Sequence, residues 1–176
     1  MRIALCGEAR SGKDTVAKLL GMSFERQAFG DYMKEGYYRE NPHMVDQPKD
    51  REHMIAWSQP IVNMYNHVWI APLEAYMKGA QEDYHSEINW VITDLRQPHE
   101  EKWCRDNGFH IVRVHAHVLR RDLRARNLGE KIGKDLPYEV KADYHIYNDG
   151  SLEDLQSQVD NLLDCLNEQE MKRRRL

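Results

Sequence analysis

The sequence predicts a single α/β domain of three layers, in which helices cover both faces of a mainly parallel sheet of about five strands. Apolar runs with strand character alternate with segments of helical periodicity, and an apolar run near the N-terminus leads through a glycine loop into a helix. At 176 residues, with 41% apolar and 31% charged residues, the chain suits one domain with a substantial core.

The first part of the chain contains two predicted strands, each followed by a predicted helix. The apolar run 2–6 is the first strand, and the segment 14–22 has apolar residues at helical spacing with Gly21 as the stop. A second strand is expected over 24–29 and a second helix over 30–38. Strands that alternate with helices in this way are typical of a parallel sheet.

The segment 50–79 is rich in apolar residues but contains Pro60 and Pro72. Proline lacks a backbone N–H and clashes with the preceding helical turn, so it breaks or kinks a helix in its interior. The segment is therefore predicted to form two or three short helices that are broken at the prolines.

The second half of the chain returns to strands and helices in alternation. A β-branched run over 88–94 predicts a strand, and the next helix is opened by Pro98 and closed by Gly108. A strand follows over 109–116, and the segment 144–166 predicts a last strand, a turn and a long amphipathic helix. Right-handed crossovers are expected to join the strands.

Charge, cysteine usage and the N-terminus exclude several classes of protein. The net charge of −4 disfavours general nucleic-acid binding, so no polymeric nucleic acid is expected as a partner. Cys6, Cys104 and Cys165 are far apart and form no C-x-x-C pair, so the sequence suggests neither a zinc knuckle nor a disulfide framework. The N-terminal apolar run is too short for a signal peptide or a membrane span, and we expect a cytoplasmic protein without a membrane partner.

Two groups of aromatic side chains invite a functional interpretation, and a structural role is favoured for both. His115 and His117 alternate on a strand, but no third metal ligand stands at a suitable spacing, so they are predicted to be structural or exposed. Trp57, Tyr65 and Trp69 are expected in the core rather than as base-stacking platforms, although one of them could stack on a nucleobase.

The loop after the first strand matches a phosphate-binding pattern. Gly7, Gly12 and Lys13 satisfy G-x-x-x-x-G-K, with an apolar strand before the motif and an amphipathic helix after it. The glycines let backbone N–H groups turn towards an anion, the helix start adds positive potential, and Lys13 reaches the phosphates. The loop is therefore predicted to bind a nucleoside triphosphate, and a simple tight turn is the alternative.

Acidic and hydroxyl groups near this loop predict a Mg²⁺ site. Asp14 and Thr15 stand where the general pattern has one hydroxyl ligand, and Mg²⁺ accepts oxygen ligands of either kind. Asp94 ends the third predicted strand, where it is expected either to meet the ion or to cap the next helix. Arg96 follows at the same edge, and it either pairs with Asp94 or clamps the phosphate of a second substrate.

A basic segment follows the fourth predicted strand. Residues 113–134 contain seven Lys or Arg against two acids. Arginines spaced by three or four residues share one helix face, and the glycines near its end suit a lid that closes on phosphates. The arginines are Arg120, Arg121, Arg124 and Arg126. A solvated basic helix is the alternative.

Three motifs together resemble a known family. "SGKDT" after the first strand, "ITDLRQPHE" after a middle strand and "NDGSLEDLQSQVDNLL" near the end resemble the deoxynucleoside monophosphate kinases of bacteriophages, within the P-loop nucleoside monophosphate kinase group. The resemblance implies a three-layer P-loop kinase fold over 1–176, with a substrate-binding helical region at about 31–80 and an arginine-rich lid at about 117–135. Two departures stand out: His99 occupies a position where the family usually has Asn, and the stretch "AWSQPIVNMYNHVWI" lacks the usual glycine.

The resemblance also implies an activity and a set of site residues. The activity is phosphoryl transfer from ATP, with Mg²⁺, to a deoxynucleoside 5′-monophosphate. The candidate catalytic residues are Lys13, Asp94, Arg96, Arg120 and Arg124. ATP is assigned to Gly7, Arg10, Ser11, Gly12, Lys13, Asp14, Thr15, Asn148 and Gly150; the acceptor to Asp31, Lys34, Arg51, Trp57 and Arg96; and the metal to Asp14, Thr15 and Asp94.

Small-molecule nucleotides are the expected partners, and the location is the bacterial cytoplasm if the protein is phage-encoded. Enzymes of this group are often homodimers, and the resemblance extends that expectation here. Two alternatives stay open: a P-loop kinase for another phosphorylated acceptor, such as dephospho-coenzyme A or phosphomevalonate, and a non-catalytic ATP-binding regulatory module. A GTPase switch is disfavoured because the sequence has no N-K-x-D motif.

Overall fold

The computed structural model of the protein describes residues 1–84, 87–129 and 138–173. These residues form five strands and seven helices, which alternate except that α2, α3 and α4 follow one another, and one short 3₁₀ turn over Pro42–Met44. In chain order the elements are β1 Arg2–Cys6, α1 Lys13–Leu19, β2 Phe24–Gln27, α2 Phe29–Glu40, α3 Arg51–Met64, α4 Ile70–Tyr84, β3 Asn89–Leu95, α5 Pro98–Asp106, β4 His110–His115, α6 Val118–Asn127, β5 Tyr144–Tyr147 and α7 Leu152–Arg173.

The five strands form one parallel sheet in the order β2-β3-β1-β4-β5. The central strand β1 pairs with β3 on one side, where Ile3 faces Val91, and with β4 on the other, where Ile3 faces His110. Because all strands run the same way, the loops that follow their carboxyl ends lie at one edge of the sheet. The parallel α/β fold predicted from the sequence is confirmed.

The alternation of side chains along β1 divides the core into two layers. Ile3 and Leu5 are fully buried and pack towards α1 and α7, whereas Ala4 and Cys6 belong to the cluster that α2, α4 and α5 complete. Strands buried on both faces read as continuous apolar runs, which is why "RIALC" signals a central strand. The result is the three-layer arrangement of helices, sheet and helices.

The prolines do not break the helices where the sequence predicted. Helix α3 continues through Pro60 to Met64, and Pro72 is the third residue of α4, so the predicted breaks at both prolines are wrong. Pro60 leaves the carbonyl of Ala56 without its helical donor, but both residues are exposed and water can hydrate that carbonyl. Pro72 lies in the first turn, where an N–H would have no helical partner. The chain instead leaves α3 at Tyr65, which has extended backbone angles.

The basic segment begins as predicted with a helix. Helix α6 is followed by Leu128 and by Gly129 in the left-handed region at φ +65°. The rest of the predicted lid, 130–135, lies outside the described residues. Within the described ranges, none of the helices combines the length and the apolar character that a bilayer crossing requires.

Candidate active site

The loop between β1 and α1 has the backbone geometry of an anion cradle. Gly7 and Gly12 have φ angles of +134° and +104°, and Arg10 is also in the left-handed region at +62°. A Cβ atom at Gly7 would lie 2.4 Å from the carbonyl oxygen of Val114, and one at Gly12 would lie 2.0 Å from Nδ2 of Asn148. Both conformation and space therefore require glycine at the two positions that the motif specifies.

Two side chains of the loop are buried within it. The Nζ of Lys13 donates to the carbonyl oxygens of Gly7 at 2.8 Å and Glu8 at 2.9 Å, so the ammonium group is held against the loop. The hydroxyl of Ser11 is buried and has no hydrogen-bond partner among the residues that the structure describes. Asp14 and Thr15 follow in the first turn of α1, where Asp14 is exposed.

Asn148, which directly follows β5, and Arg124 of α6 both donate hydrogen bonds to backbone carbonyls of the loop. Nδ2 of Asn148 donates to the carbonyl of Ser11 at 2.8 Å. Arg124 donates through Nη1 to the carbonyl of Arg10 at 3.0 Å and through Nη2 to the carbonyl of Asn148 at 3.0 Å. These contacts link three segments that are far apart in sequence. They give Arg124 and Asn148 a direct role in holding the loop, and Gly150 lies in the exposed turn that follows.

Arg121 contacts the loop by its side chain, although the sequence singled out Arg120 and Arg124. Nη2 of Arg121 pairs with Oε1 of Glu8 at 3.2 Å, and only 11% of the arginine side chain is exposed. Its Nε is buried without a partner among the described residues, whereas Arg120 is exposed. The helical phase offered a signal: the small residue Ala125, one turn after Arg121, is buried and marks the inner face of α6.

Asp94 at the end of β3 binds the start of helix α2. Its Oδ1 accepts from the backbone N–H of Phe29 at 2.9 Å and its Oδ2 from that of Gly30 at 2.7 Å. Burial raises the pKa of Asp94, and the charge of Arg96 and the two amide donors oppose that rise. Asp94 therefore caps a helix, as one alternative expected, but the helix lies 64 residues earlier in the chain and not next to it.

Glu100 holds the loop that carries Arg96. Its Oε2 accepts from the backbone N–H groups of Arg96 and Gln97, both at 2.9 Å. The side chain is buried, and burial together with the charge of Asp94 raises the pKa of Glu100 to about 8. Glu100 was not among the residues predicted from the sequence, although a glutamate three residues after the N-cap of a helix is the signal of a capping box.

Four cationic side chains from separate segments lie within electrostatic reach of Lys49. Partial desolvation and then the nearby cations lower the pKa of Lys49. Those cations are Lys34, Arg51, Arg96 and Arg10. They come from α2, from α3, from the loop after β3 and from the phosphate loop, so the fold concentrates positive charge between the phosphate loop and the helical region. Lys49 was not among the residues predicted from the sequence.

Asp31 places a carboxylate next to Lys34, one of the cations near Lys49. It pairs with Arg26 and, at 2.7 Å, with Nζ of Lys34. Partial burial by itself would raise the pKa of Asp31, but the hydrogen bonds from Lys34 and Arg26 outweigh this effect and lower that pKa. Asp31 and Lys34, which were both predicted to bind the acceptor nucleotide, therefore form an ion pair with each other.

Trp57 of α3 and Trp69, which directly precedes α4, lie in an aromatic cluster with Tyr37 of α2. Trp57 stacks on Trp69 with ring centroids 6.0 Å apart and meets Tyr37 edge-on at 5.6 Å. Gly36 lies next to both indole rings, where a Cβ atom would be in van der Waals contact with each at 3.4 Å. A packing role thus fits Trp57 and Trp69. The expectation that Tyr65 is a core residue is wrong, because 56% of it is exposed beyond the end of α3.

The histidines of the fourth strand lie beside β5. His115 stacks on Tyr147 at 4.8 Å, and its Nε2 is 2.8 Å from Nδ1 of His145. His117 lies beyond β4 as the N-cap of α6, so the prediction that it alternates with His115 on a strand is wrong. It is exposed, and its backbone N–H donates to Oδ1 of Asp149 at 2.7 Å. These contacts agree with the structural or exposed placement that the sequence predicted. Across the described ranges, His, Cys, Asp and Glu side chains form no group of three that could hold a metal ion.

Comparisons with known proteins agree with this geometry. The model of a family described as deoxynucleotide monophosphate kinase matches residues 59–159. No curated protein matches the sequence.

Solved structures resemble the chain over nearly its whole length. The TT1252 protein of Thermus thermophilus has a TM-score of 0.53 at 18% identity, with 94% of this chain and 97% of that chain covered. A sugar kinase from Janibacter gives 0.54 at 15% identity, with coverages of 93% and 94%. Shikimate kinase from Aquifex aeolicus gives 0.50 at 19% identity, with coverages of 97% and 99%. At these identities the likenesses show the fold.

Proposed function

The chain belongs to the deoxynucleotide monophosphate kinase family, whose model covers more than half of it, and from this membership we propose how its site divides between two nucleotides. It is an ATP-dependent kinase that transfers a phosphoryl group. The phosphate loop holds the triphosphate of ATP, and the cation cluster of Lys34, Lys49, Arg51 and Arg96 holds the phosphate of a deoxynucleoside 5′-monophosphate. The observation that carries this division is the convergence of these cations beside the loop.

The donor side of the site is supported by groups that suit an anion. The loop has the left-handed glycines that turn N–H groups inward, and the buried hydroxyl of Ser11 has no partner among the described residues. A phosphate oxygen would supply that partner. It would also attract the ammonium of Lys13 away from the carbonyls of Gly7 and Glu8, because a charge-assisted bond to phosphate is stronger than one to a neutral carbonyl.

The residues present fit a Mg²⁺ ion, since they offer the hard oxygen ligands that it prefers. Asp14 or Thr15 would hold it from the start of α1, and Asp94 would approach it directly or through water. A bound Mg²⁺ neutralises the charge that develops on the phosphates. Asp94 can serve both this ion and the amides of Phe29 and Gly30, because a carboxylate has about four lone-pair sites.

The acceptor side needs positive charge more than it needs a general base. The second pKa of a phosphate monoester is about 6, so the acceptor oxygen is already largely anionic at neutral pH. The protein's task is to overcome the repulsion between two anionic substrates and to align them. Cations on both sides of the reacting oxygens meet that requirement. The family match favours this kinase over a non-catalytic ATP-binding module.

The proposal is tested by an ADP-release assay with ATP and Mg²⁺. The acceptors are dAMP, dGMP, dCMP, dTMP and their ribose counterparts, with a no-acceptor control and a chelator control for the metal. We expect ADP release that depends on a deoxynucleoside monophosphate and on Mg²⁺, with the diphosphate as second product. ADP release that does not respond to any monophosphate would contradict the proposed acceptor.

A further inference from the structure

We propose that Glu100 is a positioning residue that holds the backbone of Arg96 so that its guanidinium group faces the phosphate of the acceptor. This inference rests on the proposed function, since it concerns the same acceptor site. Glu100 itself touches neither substrate in this proposal, and its effect passes entirely through Arg96.

The first step is the pair of hydrogen bonds that Glu100 receives. One oxygen atom, Oε2, accepts from the consecutive backbone N–H groups of Arg96 and Gln97, both at 2.9 Å. The glutamate is 5% exposed, so water does not readily compete for these donors. Two adjacent amides bound to one buried atom fix the direction of the peptide plane between them, and therefore the direction in which Arg96 leaves the backbone.

The second step is the anchor on the other side of Arg96. Asp94, two residues earlier, is bound through both oxygens to the amides of Phe29 and Gly30. Arg96 thus lies between Asp94, whose carboxylate binds amides at the start of α2, and Gln97, whose amide is bound by Glu100 of α5. A segment of four residues held at both ends has few alternative conformations.

The third step is electrostatic. The charge of Arg96 lies near enough to Lys49 to help lower its pKa, after desolvation and the charges of Lys34 and Arg51. Cations repel one another, so an unanchored arginine would move away from this cluster. The two anchors oppose that movement. They hold Arg96 within electrostatic reach of both these cations and the carboxyl group of Asp94, where a bound phosphate dianion would add attraction.

The test compares variants of Glu100 with variants of its neighbour Glu101. Glu101 is also buried on α5, but it accepts from Tyr138 and Lys141 and pairs with Arg105, away from Arg96. Replacing it therefore controls for the loss of a buried glutamate from the same helix. The measurements are kcat, the KM for the best deoxynucleoside monophosphate, the KM for ATP and the thermal midpoint.

We expect Glu100→Ala to raise the acceptor KM about tenfold or more, because a small displacement of a binding group is costly, and to leave the ATP KM within about twofold. Glu100→Gln keeps a carbonyl oxygen for the two amides and should restore the acceptor KM. Glu101→Ala should lower the thermal midpoint without this selective change. If Glu100→Ala does not fold, Glu100→Asp, whose arm is shorter by one methylene, carries the same expectation.

A double-mutant cycle separates positioning from general stability. In the Arg96→Ala background, replacing Glu100 should change the acceptor KM by no more than about twofold, because the group it positions is gone. An equal effect of replacing Glu100 in both backgrounds, or an unchanged acceptor KM in folded Glu100→Ala and Glu100→Asp, would overturn the inference. Absence of acceptor-dependent ADP release from the wild-type protein is a different result and would overturn the proposed function.

Discussion

The Oδ2 atom of Asp94 accepts a hydrogen bond from the backbone amide of Gly30 at 2.7 Å, and a Cβ atom at Gly30 would lie 2.7 Å from that same oxygen. The end of β3 is therefore attached to the start of α2 at a point where only glycine leaves room for the carboxylate. This contact joins the edge of the sheet that carries the phosphate loop to the helical region that carries Lys34.

Replacing Gly30 with alanine tests this contact. The added methyl group would push the Asp94 carboxylate away, so we expect the variant to lose about 1 to 3 kcal/mol of unfolding free energy and much of its kcat. Gly79→Ala is the matched control, because a Cβ atom at Gly79 in α4 would meet no atom of the described residues within 4 Å. That change should stabilise the protein by up to about 1 kcal/mol. Urea unfolding and the ADP-release assay measure both variants, and wild-type behaviour of Gly30→Ala would contradict the interpretation.

Lys13 and Lys18 give a paired test of the phosphate loop. Both belong to α1, but Lys13 is buried against the loop whereas Lys18 is exposed in the last turn. Removing a charge that stabilises the transferring phosphoryl group costs about 100-fold or more in kcat, which we expect for Lys13→Ala. Lys18→Ala should keep kcat within about twofold. Equal rates for the two variants would show that Lys13 does not act on phosphate.

Variants of Arg120 and Arg121 test which of these two arginines acts on ATP. The sequence pattern assigned this role to Arg120, whereas the structure favours Arg121. Arg121 is largely buried and pairs with Glu8 of the loop, while Arg120 is exposed. We expect Arg121→Ala to lower kcat/KM for ATP about tenfold, the loss typical of a hydrogen bond to a charged group. Arg120→Ala should stay within about twofold. Steady-state kinetics with varied ATP distinguish them, and a larger loss for Arg120→Ala would favour the assignment made from the sequence.

The pH dependence of stability tests the environment of Glu100. Burial and the charge of Asp94 raise its pKa from 4.5 to about 8 in the folded protein. Between these values the folded state keeps a proton that the unfolded state has lost, so Glu100 makes the free energy of unfolding fall as pH rises. Glu100→Gln removes this contribution. Its stability relative to the wild type should therefore increase from about pH 4.5 to about pH 8 and then level off.

Glu101→Gln is the control for this measurement because its shift has the opposite sign. Burial favours a higher value, but the hydrogen bonds from Tyr138, Arg105 and Lys141 lower the pKa of Glu101. Glu101 therefore contributes stability above its ordinary pKa that is lost as pH falls. Urea unfolding from about pH 3 to about pH 9 should show the stability of Glu100→Gln changing relative to the wild type between about pH 4.5 and about pH 8, and that of Glu101→Gln changing only below about pH 4.5. The same pH profile for both would contradict the raised pKa of Glu100.

The features that could be predicted from the sequence are those that local interactions fix. The phosphate loop is recognisable because its glycines, its lysine and the start of α1 lie within a few residues of one another. The alternation of apolar strands with helices identified the parallel sheet for the same reason. The breaks predicted at Pro60 and Pro72 failed because the cost of a proline depends on its place in the helix and on the exposure of the carbonyl it leaves free.

Which polar groups meet at the site depends on the folded chain as a whole. Asp94 finds Gly30 across 64 residues, and Arg124 reaches the carbonyl of Arg10 across 114 residues. The convergence of Lys49 with the other cations depends on several separate segments. Such contacts arise because strand order brings distant loops to one edge of the sheet. The residues of the site could be named from the sequence in part, but their partners follow from the order of the strands, which no local pattern encodes.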